Sequence, residues 1–399
     1  MRLDIVILAA TLLCAALLAR PALARLPLWR ATVTPLASII GSGFLVLGPV
    51  LGTSYGAYAP VAMALLCLGA WLIGSAVRFN ITRLETTAGR RTATEERLDM
   101  AASWALSFAY VISVTYYLNL FGSFGVSLTP LHESLHARLL TSAVLCVILV
   151  VGWTWGFRAL EGLEQVSVTV KLAVIAGLLA GLVLHFGDTA ATGGLKFDPA
   201  KVTGWSAVTL GFGLIVTVQG FETSRYLGAT YDARTRIRSM ALAQIIATVI
   251  YLAYIGLVSY DLVMPSGKLT ETAIIGMMAQ IAPVLPVLLV VAALSAQFSA
   301  AIADTSGCGG LVEEETRRRI PERHAYVLLV VIGLLLTWSS GVFEIISYAS
   351  RAFALYYALQ AMVAAVGARA QGRTGKAAGF ALMALAAAAV TLFGTPAEG

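Results

Sequence analysis

The sequence predicts an all-α polytopic membrane protein with about twelve transmembrane helices, containing a 5+5 inverted repeat with one broken helix in each half. Three observations point there. Of 399 residues, 59% are hydrophobic and 12% charged, with a mean hydropathy of +0.85, a composition that no water-soluble domain of this length shows. Apolar stretches of about 17 to 25 residues, the length that crosses roughly 30 Å of hydrocarbon, recur along the whole chain. Two of these stretches are interrupted by glycine, and they stand five spans apart.

Taken in order, residues 3–19 form the first span, ahead of the basic cluster Arg20, Arg25 and Arg30. The stretch MRLDIVILAATLLCAALLARPALA also resembles a secretory signal peptide with a small-residue ALA site. Against that, its basic cluster follows the apolar run instead of preceding it; a cleaved leader would invert every later loop. Spans 33–55, 58–78, 99–127, 138–157 and 165–186 make the first set of five. Spans 204–224, 238–262, 285–308, 325–340 and 343–367 make the second, and 375–395 closes the chain. The organisation is thus an extra helix and basic loop over 1–30, repeats over 31–190 and 191–367, and a C-terminal helix over 368–399.

Loop charges agree with this count. With alternate loops assigned to alternate sides, 21 of the 27 Lys and Arg residues fall on one side. Only Arg2, Arg138, Lys196, Lys201 and Lys268 fall on the other, while Arg351 lies inside a span. Basic residues collect on the cytoplasmic side, so both termini are expected outside a plasma or inner membrane. The net charge of +6 then reports topology, with the lipid bilayer as partner and no nucleic acid. Cys14, Cys67, Cys146 and Cys308 are dispersed in apolar spans without a CxxC pair, so neither a disulfide framework nor a zinc knuckle is expected. No cofactor is expected, and no loop is long enough for a soluble catalytic domain.

The interruptions carry the functional expectation. The second span contains SIIGSGFLVLGPVL, with Ile40, Gly41, Ser42 and Gly43 near its middle; the seventh contains Gln219, Gly220 and Phe221. A lone glycine in a membrane helix is ordinarily a packing residue. Five is odd, however, so each set opens on its broken helix and the two sets cross in opposite senses, and discontinuous helices of such inverted repeats make solute and ion sites near the midplane. Half-helix N-termini there offer N–H groups to an anion, and freed carbonyls suit an amine or cation. An α-amino acid carries both charges.

These stretches resemble a known family, the amino acid–polyamine–organocation transporters. SIIGSGFLVLGPVLGTSYGAYAP is similar to their first core helix, and GFETSRYLGATYDARTRIRSMAL to their sixth with its basic loop. VSVTVKLAVIAGLLAG resembles their fifth, and LSAQFSAAIADTSGCGGLVEEETRRRIPERH their eighth with the loop after it. The likeness covers roughly residues 31 to 367 and implies the leucine-transporter type of fold. The chain departs from it in having an extra helix before the core and one helix after it where the family commonly has two. It also reads ADTSG where the eighth helix often has an arginine, and IVTVQ lacks the aromatic often found before the sixth-helix glycine.

Ionisable residues inside the spans are the next candidates, because each is costly in hydrocarbon. Glu222 stands beside the second break, where it can be neutralised by a proton and act as a proton carrier or gate, the part the family resemblance also implies; the plain alternative is a carboxylate capping the broken backbone. Lys171 and Asp304 each lie about 7 Å from a span end at 1.5 Å per residue and have the spacing to pair. In sodium-coupled members of the resembled family a site between the first and eighth core helices holds Na⁺, and in others a lysine from the fifth stands in for it. Lys171 then mimics that cation, or else snorkels to the surface. Arg351 requires a carboxylate, with Glu222, Glu344 or a solute group as candidates. Tyr110, Tyr116, Tyr117, Tyr348, Tyr356 and Tyr357 are candidate pocket residues, each equally a packing or interfacial residue.

A rival motif is HESLH, in which His132 and His136 match HExxH and suggest an intramembrane zinc metalloprotease, with His185 or Asp188 as the third ligand. It lies in a short outer loop after Pro130, and a protease has no need of paired broken helices. A channel requires a continuous polar pore, which the scarcity of charge does not provide. The reading is therefore a secondary carrier of amino acids or related amines working by alternating access. It is expected to be proton-coupled or exchanging, and not sodium-dependent.

Overall fold

The computed structural model describes residues 2–41, 43–87, 91–131, 133–156, 162–265 and 267–397; most of those residues are helical and none is in a strand. In chain order the helices are α1 (Arg2–Leu18), α2 (Pro21–Ala24), α3 (Pro27–Ile39), α4 (Gly43–Tyr55), α5 (Ala59–Thr87), α6 (Ala93–Val126), α7 (Ser134–Thr154) and α8 (Gly162–Ala191). There follow α9 (Gly204–Gly213), α10 (Ala233–Asp261), α11 (Ala273–Ala279), α12 (Val284–Glu315), α13 (Glu322–Ser339), α14 (Val342–Ala370) and α15 (Thr374–Phe393). Nine stretches among the described residues are long and apolar enough to cross a membrane, Gly43–Thr86 counting as one. Helix α1, with 17 residues, and the two spans broken after α3 and α9 complete the twelve.

The packing has an internal symmetry. Exchange the first set (α3 with α4, α5, α6, α7, α8) for the second (α9 with its continuation, α10, α12, α13, α14), and the principal helix packings map onto one another. The packing of α6 on α14 corresponds to α12 on α8, and α6 on α7 to α12 on α13, while α5–α10, α6–α12 and α7–α13 map onto themselves. The flanking helices obey the same exchange, α1 bracing α8 and α15 bracing α14. Helix α1 seats on Gly177 and Gly181, where an added Cβ at Gly177 would overlap the Thr11 hydroxyl and come within 2.8 Å of the Ile7 carbonyl. Small residues four apart let two membrane helices approach this closely.

The corner between α4 and α5 is held from outside the set. Gly56 takes a left-handed conformation (φ +52°) that suits glycine, and the segment before α9 closes over it. The Ala57 N–H donates to the Asp198 carbonyl (2.8 Å), and the Lys201 and Val202 N–H groups donate to Ser54 (2.9 and 3.1 Å).

Two elements differ from expectation. The connection after α10 contains α11, whose Ile274, Met277 and Met278 are buried; seven residues are too few to register as a span. The seventh span is α-helical only to Gly213, continues as 3₁₀ turns over Ile215–Val218, and resumes as a 3₁₀ segment over Phe221–Ala229. The Ser350 hydroxyl donates to the Gly213 carbonyl (2.7 Å) and accepts from the Val216 N–H (3.1 Å), replacing bonds that an α-helix would make within itself.

Candidate functional site

The two breaks lie against each other. Helix α3 ends at Ile39, with Ile40 as its cap, and α4 restarts at Gly43; Ser42 lies outside the described residues. On the other strand of the site, Gln219 is extended and Gly220 takes φ +112°. A Cβ at Gly220 would stand 2.6 Å from the Ser38 carbonyl carbon and 2.8 Å from the Ile39 nitrogen. Glycine is required there twice over, by its backbone angle and by the approach of α3. At Gly43 a Cβ would overlap the Tyr116 hydroxyl and stand 3.1 Å from Thr217 Cγ2, while at Gly41 it would meet Tyr117 at 3.6 Å.

Tyrosines from α10 secure the broken backbone. The Tyr251 hydroxyl reaches the carbonyls of both breaks, Ile39 at 2.9 Å and Thr217 at 2.6 Å, and Tyr254 donates to the Leu45 carbonyl at 3.1 Å. The sequence signal for these two was present, because a tyrosine within an apolar span needs a partner for its hydroxyl.

Glu222 is buried at the second break, 1% exposed. Its Oε2 accepts from the Gly220 N–H (2.9 Å) and the Tyr357 hydroxyl (2.8 Å), while Oε1 is buried with no hydrogen-bond partner. The N–H at the break is thus occupied by the chain's own carboxylate. Phe221 stacks on Tyr357 with ring centroids 5.2 Å apart, and the Gln219 amide bridges Tyr117 and Tyr357 at 3.5 Å each. Tyr110, Tyr116, Tyr117, Tyr356 and Tyr357 are buried around the site, whereas Tyr348 is exposed on α14.

Lys171 and Asp304 are both buried but do not pair. The Lys171 ammonium donates to the Ala37 carbonyl at 2.8 Å, in the last turn of α3, where the break frees carbonyls. It lines a cavity of about 20 Å³ with Gly41, Phe44 and Ala296. A snorkelling lysine would not be 4% exposed. Asp304 instead accepts from the Ser113 hydroxyl of α6, because it lies on the α12 face that meets α6.

Arg351 is the clear departure from expectation. It meets neither Glu222 nor Glu344. Its Nε donates to the Thr391 carbonyl at 2.7 Å, in the last turn of α15, where unpaired carbonyls and the negative end of the helix dipole favour a cation. Glu344 caps its own helix through the Gly341 N–H (2.9 Å).

Of the zinc motif, His132 lies outside the described residues, while Glu133 is extended as the N-cap of α7 (ψ 152°) and His136 lies within that helix. His185 is engaged with Asp261 at 2.7 Å, and no group of three metal-ligating side chains occurs among the described residues.

One assembly escaped the sequence, which offered its arginines only as topology markers. At the basic end of the bundle, Asp99 accepts from Arg91 (2.8 Å) and Arg225 (2.6 Å), and Arg225 also bonds Gln360. Arg236 donates to the Arg225 carbonyl (2.8 Å) and pairs with Glu85. These bonds tie the segment after Glu222 to α5, α6, α10 and α14. At the opposite end a cleft of about 570 Å³ is lined by residues that include Asn119, Ser123, Arg138, Lys268, Glu271 and Glu344. An apolar cleft of about 370 Å³ between α5, α9 and α15 lies apart from Glu222.

Facing helix breaks within a symmetric bundle of spans define a membrane transporter of the inverted-repeat class. The chain belongs to the APC superfamily transporters: a family model of that description matches residues 21–394. It is also 40% identical over 352 residues to a protein of Aquifex aeolicus (strain VF5) described as uncharacterized, a match covering 86% of this chain and 85% of that protein.

Proposed function

We propose that the protein carries amino acids or related amines across a plasma or inner membrane by alternating access, coupled to protons or in exchange and without sodium. The observation that carries this reading is Glu222 closing the Gly220 N–H. A carboxylate there occupies the place that a solute carboxylate would take at a half-helix terminus. Protonation weakens it as an acceptor and frees the N–H, so that proton and solute occupancy are linked. Ile40, Gly41, Ser42 and Gly43 on one break and Gln219, Gly220 and Phe221 on the other supply the solute's contacts. Lys171, its ammonium on the Ala37 carbonyl, supports a fixed cation in place of a sodium ion, with Asp304 as a separate group on α12.

Uptake of radiolabelled amino acids and amines into proteoliposomes tests this directly. Competition by unlabelled amino acids, collapse with a proton ionophore or dependence on internal solute, and indifference to replacing Na⁺ by choline are expected. A steep sodium requirement would overturn the role given to Lys171, and failure of every amino acid and amine to compete would overturn the solute class.

The charge partition places the basic end in the cytoplasm. With single cysteines at Glu133 and Thr235, a membrane-impermeant thiol reagent added outside intact cells should modify the first and spare the second. The reverse pattern would invert the topology, as a cleaved leader requires.

A further inference from the structure

We infer that the segment Gly394–Ala397, just after α15, is a latch that holds the first half of the second broken helix shut on its outer side. The segment runs across α9 in close backbone contact. The Thr395 N–H donates to the Thr209 carbonyl at 3.0 Å, and the hydroxyls of the same two residues meet at 3.3 Å. At Gly213, the last residue of α9, an added Cβ would overlap the Thr395 carbonyl oxygen and stand 2.8 Å from its carbonyl carbon. No side chain fits at Gly213 while the latch is in place.

Helix α14 fastens the latch from the other side. Ser347 donates to the Gly394 carbonyl at 3.5 Å and Arg351 to Thr391 at 2.7 Å, while Ser350, next in sequence, holds Gly213 and Val216. Beyond Thr395, Pro396 and Ala397 line the cleft of about 570 Å³ at the outer end, and Ala397 is buried there. On this inference, access from the outer side to Glu222 opens by α9 parting from α14, and that motion breaks the contact between Gly213 and Thr395. Arg351 is a positioning residue in this arrangement: it anchors the end of α15 from which the latch departs. The inference rests on the geometry of α9, α14 and α15 and holds whatever the solute or coupling ion.

The test uses a reporter cysteine at Thr217, buried between the two breaks, in a Cys146→Ser background, with an impermeant thiol reagent added from outside. Removing the residues after Gly394 should speed labelling by about tenfold, the effect of losing one or two net hydrogen bonds. Gly213→Ala, which expels the latch without altering it, should give the same acceleration. In the chain lacking the latch, Gly213→Ala should add nothing further. Unchanged labelling after the deletion would overturn the inference, and so would additive effects, which would show that Gly213 acts independently of Thr395. Because the deletion introduces no clash, it decides the matter even if Gly213→Ala fails to fold.

Discussion

Glu222→Gln is expected to abolish net uptake driven by a pH gradient while solute binding and exchange persist. The substitution is isosteric and mimics the protonated acid: the neutral amide oxygen reaches the Gly220 N–H and the Tyr357 hydroxyl where Oε2 does but accepts more weakly than a carboxylate, so the N–H stays available to the solute. The position taken by the amide NH₂ is that of Oε1, which has no hydrogen-bond partner, so no existing bond is broken. Glutamine cannot take up and release a proton, and the linkage between protonation and the N–H at the break is lost. Thermal stability should change by less than about 1 kcal/mol, since a buried charge that costs free energy in hydrocarbon is removed. Pairing with Arg351 would have predicted the loss of about 3–5 kcal/mol that follows stranding a buried cation. Full pH-driven uptake by a stable variant would remove Glu222 from the coupling mechanism.

Glu95→Ala should be among the most destabilising single changes in the molecule, by about 3–5 kcal/mol. Glu95 is fully buried and bonds Arg83 through both oxygens, Nε to Oε1 and Nη2 to Oε2, the latter at 2.9 Å. The same carboxylate closes a capping box, accepting from the Thr92 N–H (2.9 Å) and hydroxyl (3.0 Å). Gly367 of α14 packs on the pair so closely that a Cβ would stand 2.7 Å from Arg83 Cδ. Alanine therefore removes the carboxylate that holds the buried Arg83 guanidinium through two bonds, and it removes the side-chain half of the capping box, leaving only the bond from the residue 95 N–H to the Thr92 hydroxyl. Removing both charges, as Arg83→Met with Glu95→Leu, should recover much of the loss, because an apolar pair has no stranded charge to solvate. Thermal unfolding in detergent across the four proteins of this cycle gives the coupling energy. An additive double variant would show that the pair contributes nothing beyond its parts.

What could be read from the sequence was what depends on composition and on glycine. Gly41, Gly43 and Gly220 interrupt apolar runs whose remainder is helical, so the breaks and their approximate depth were legible, as was the isolation of Glu222 beside one of them. Partnership was not legible, because it depends on helix rotation. Arg351 and Tyr357 are six residues apart on α14, which at 3.6 residues per turn sets them about 120° apart. The face bearing Tyr357 meets Glu222, and Arg351 therefore points elsewhere, toward α15. Lys171 and Asp304 had compatible depths, but Lys171 reaches the end of α3 and Asp304 faces α6. Ion pairs such as Arg225 with Asp99 join residues 126 positions apart, a separation at which sequence carries no local pattern.

The Tyr251 hydroxyl has a single proton, and two carbonyls, one from each break, compete for it. It therefore cannot serve both fully at once. While the breaks stay together the proton is shared, and either carbonyl holds it at little cost. Once they move apart, the hydrogen bond must go to one of them, and the other is left to find a donor elsewhere. A single phenol thereby makes the energy of each half of the symmetric fold depend on the position of the other.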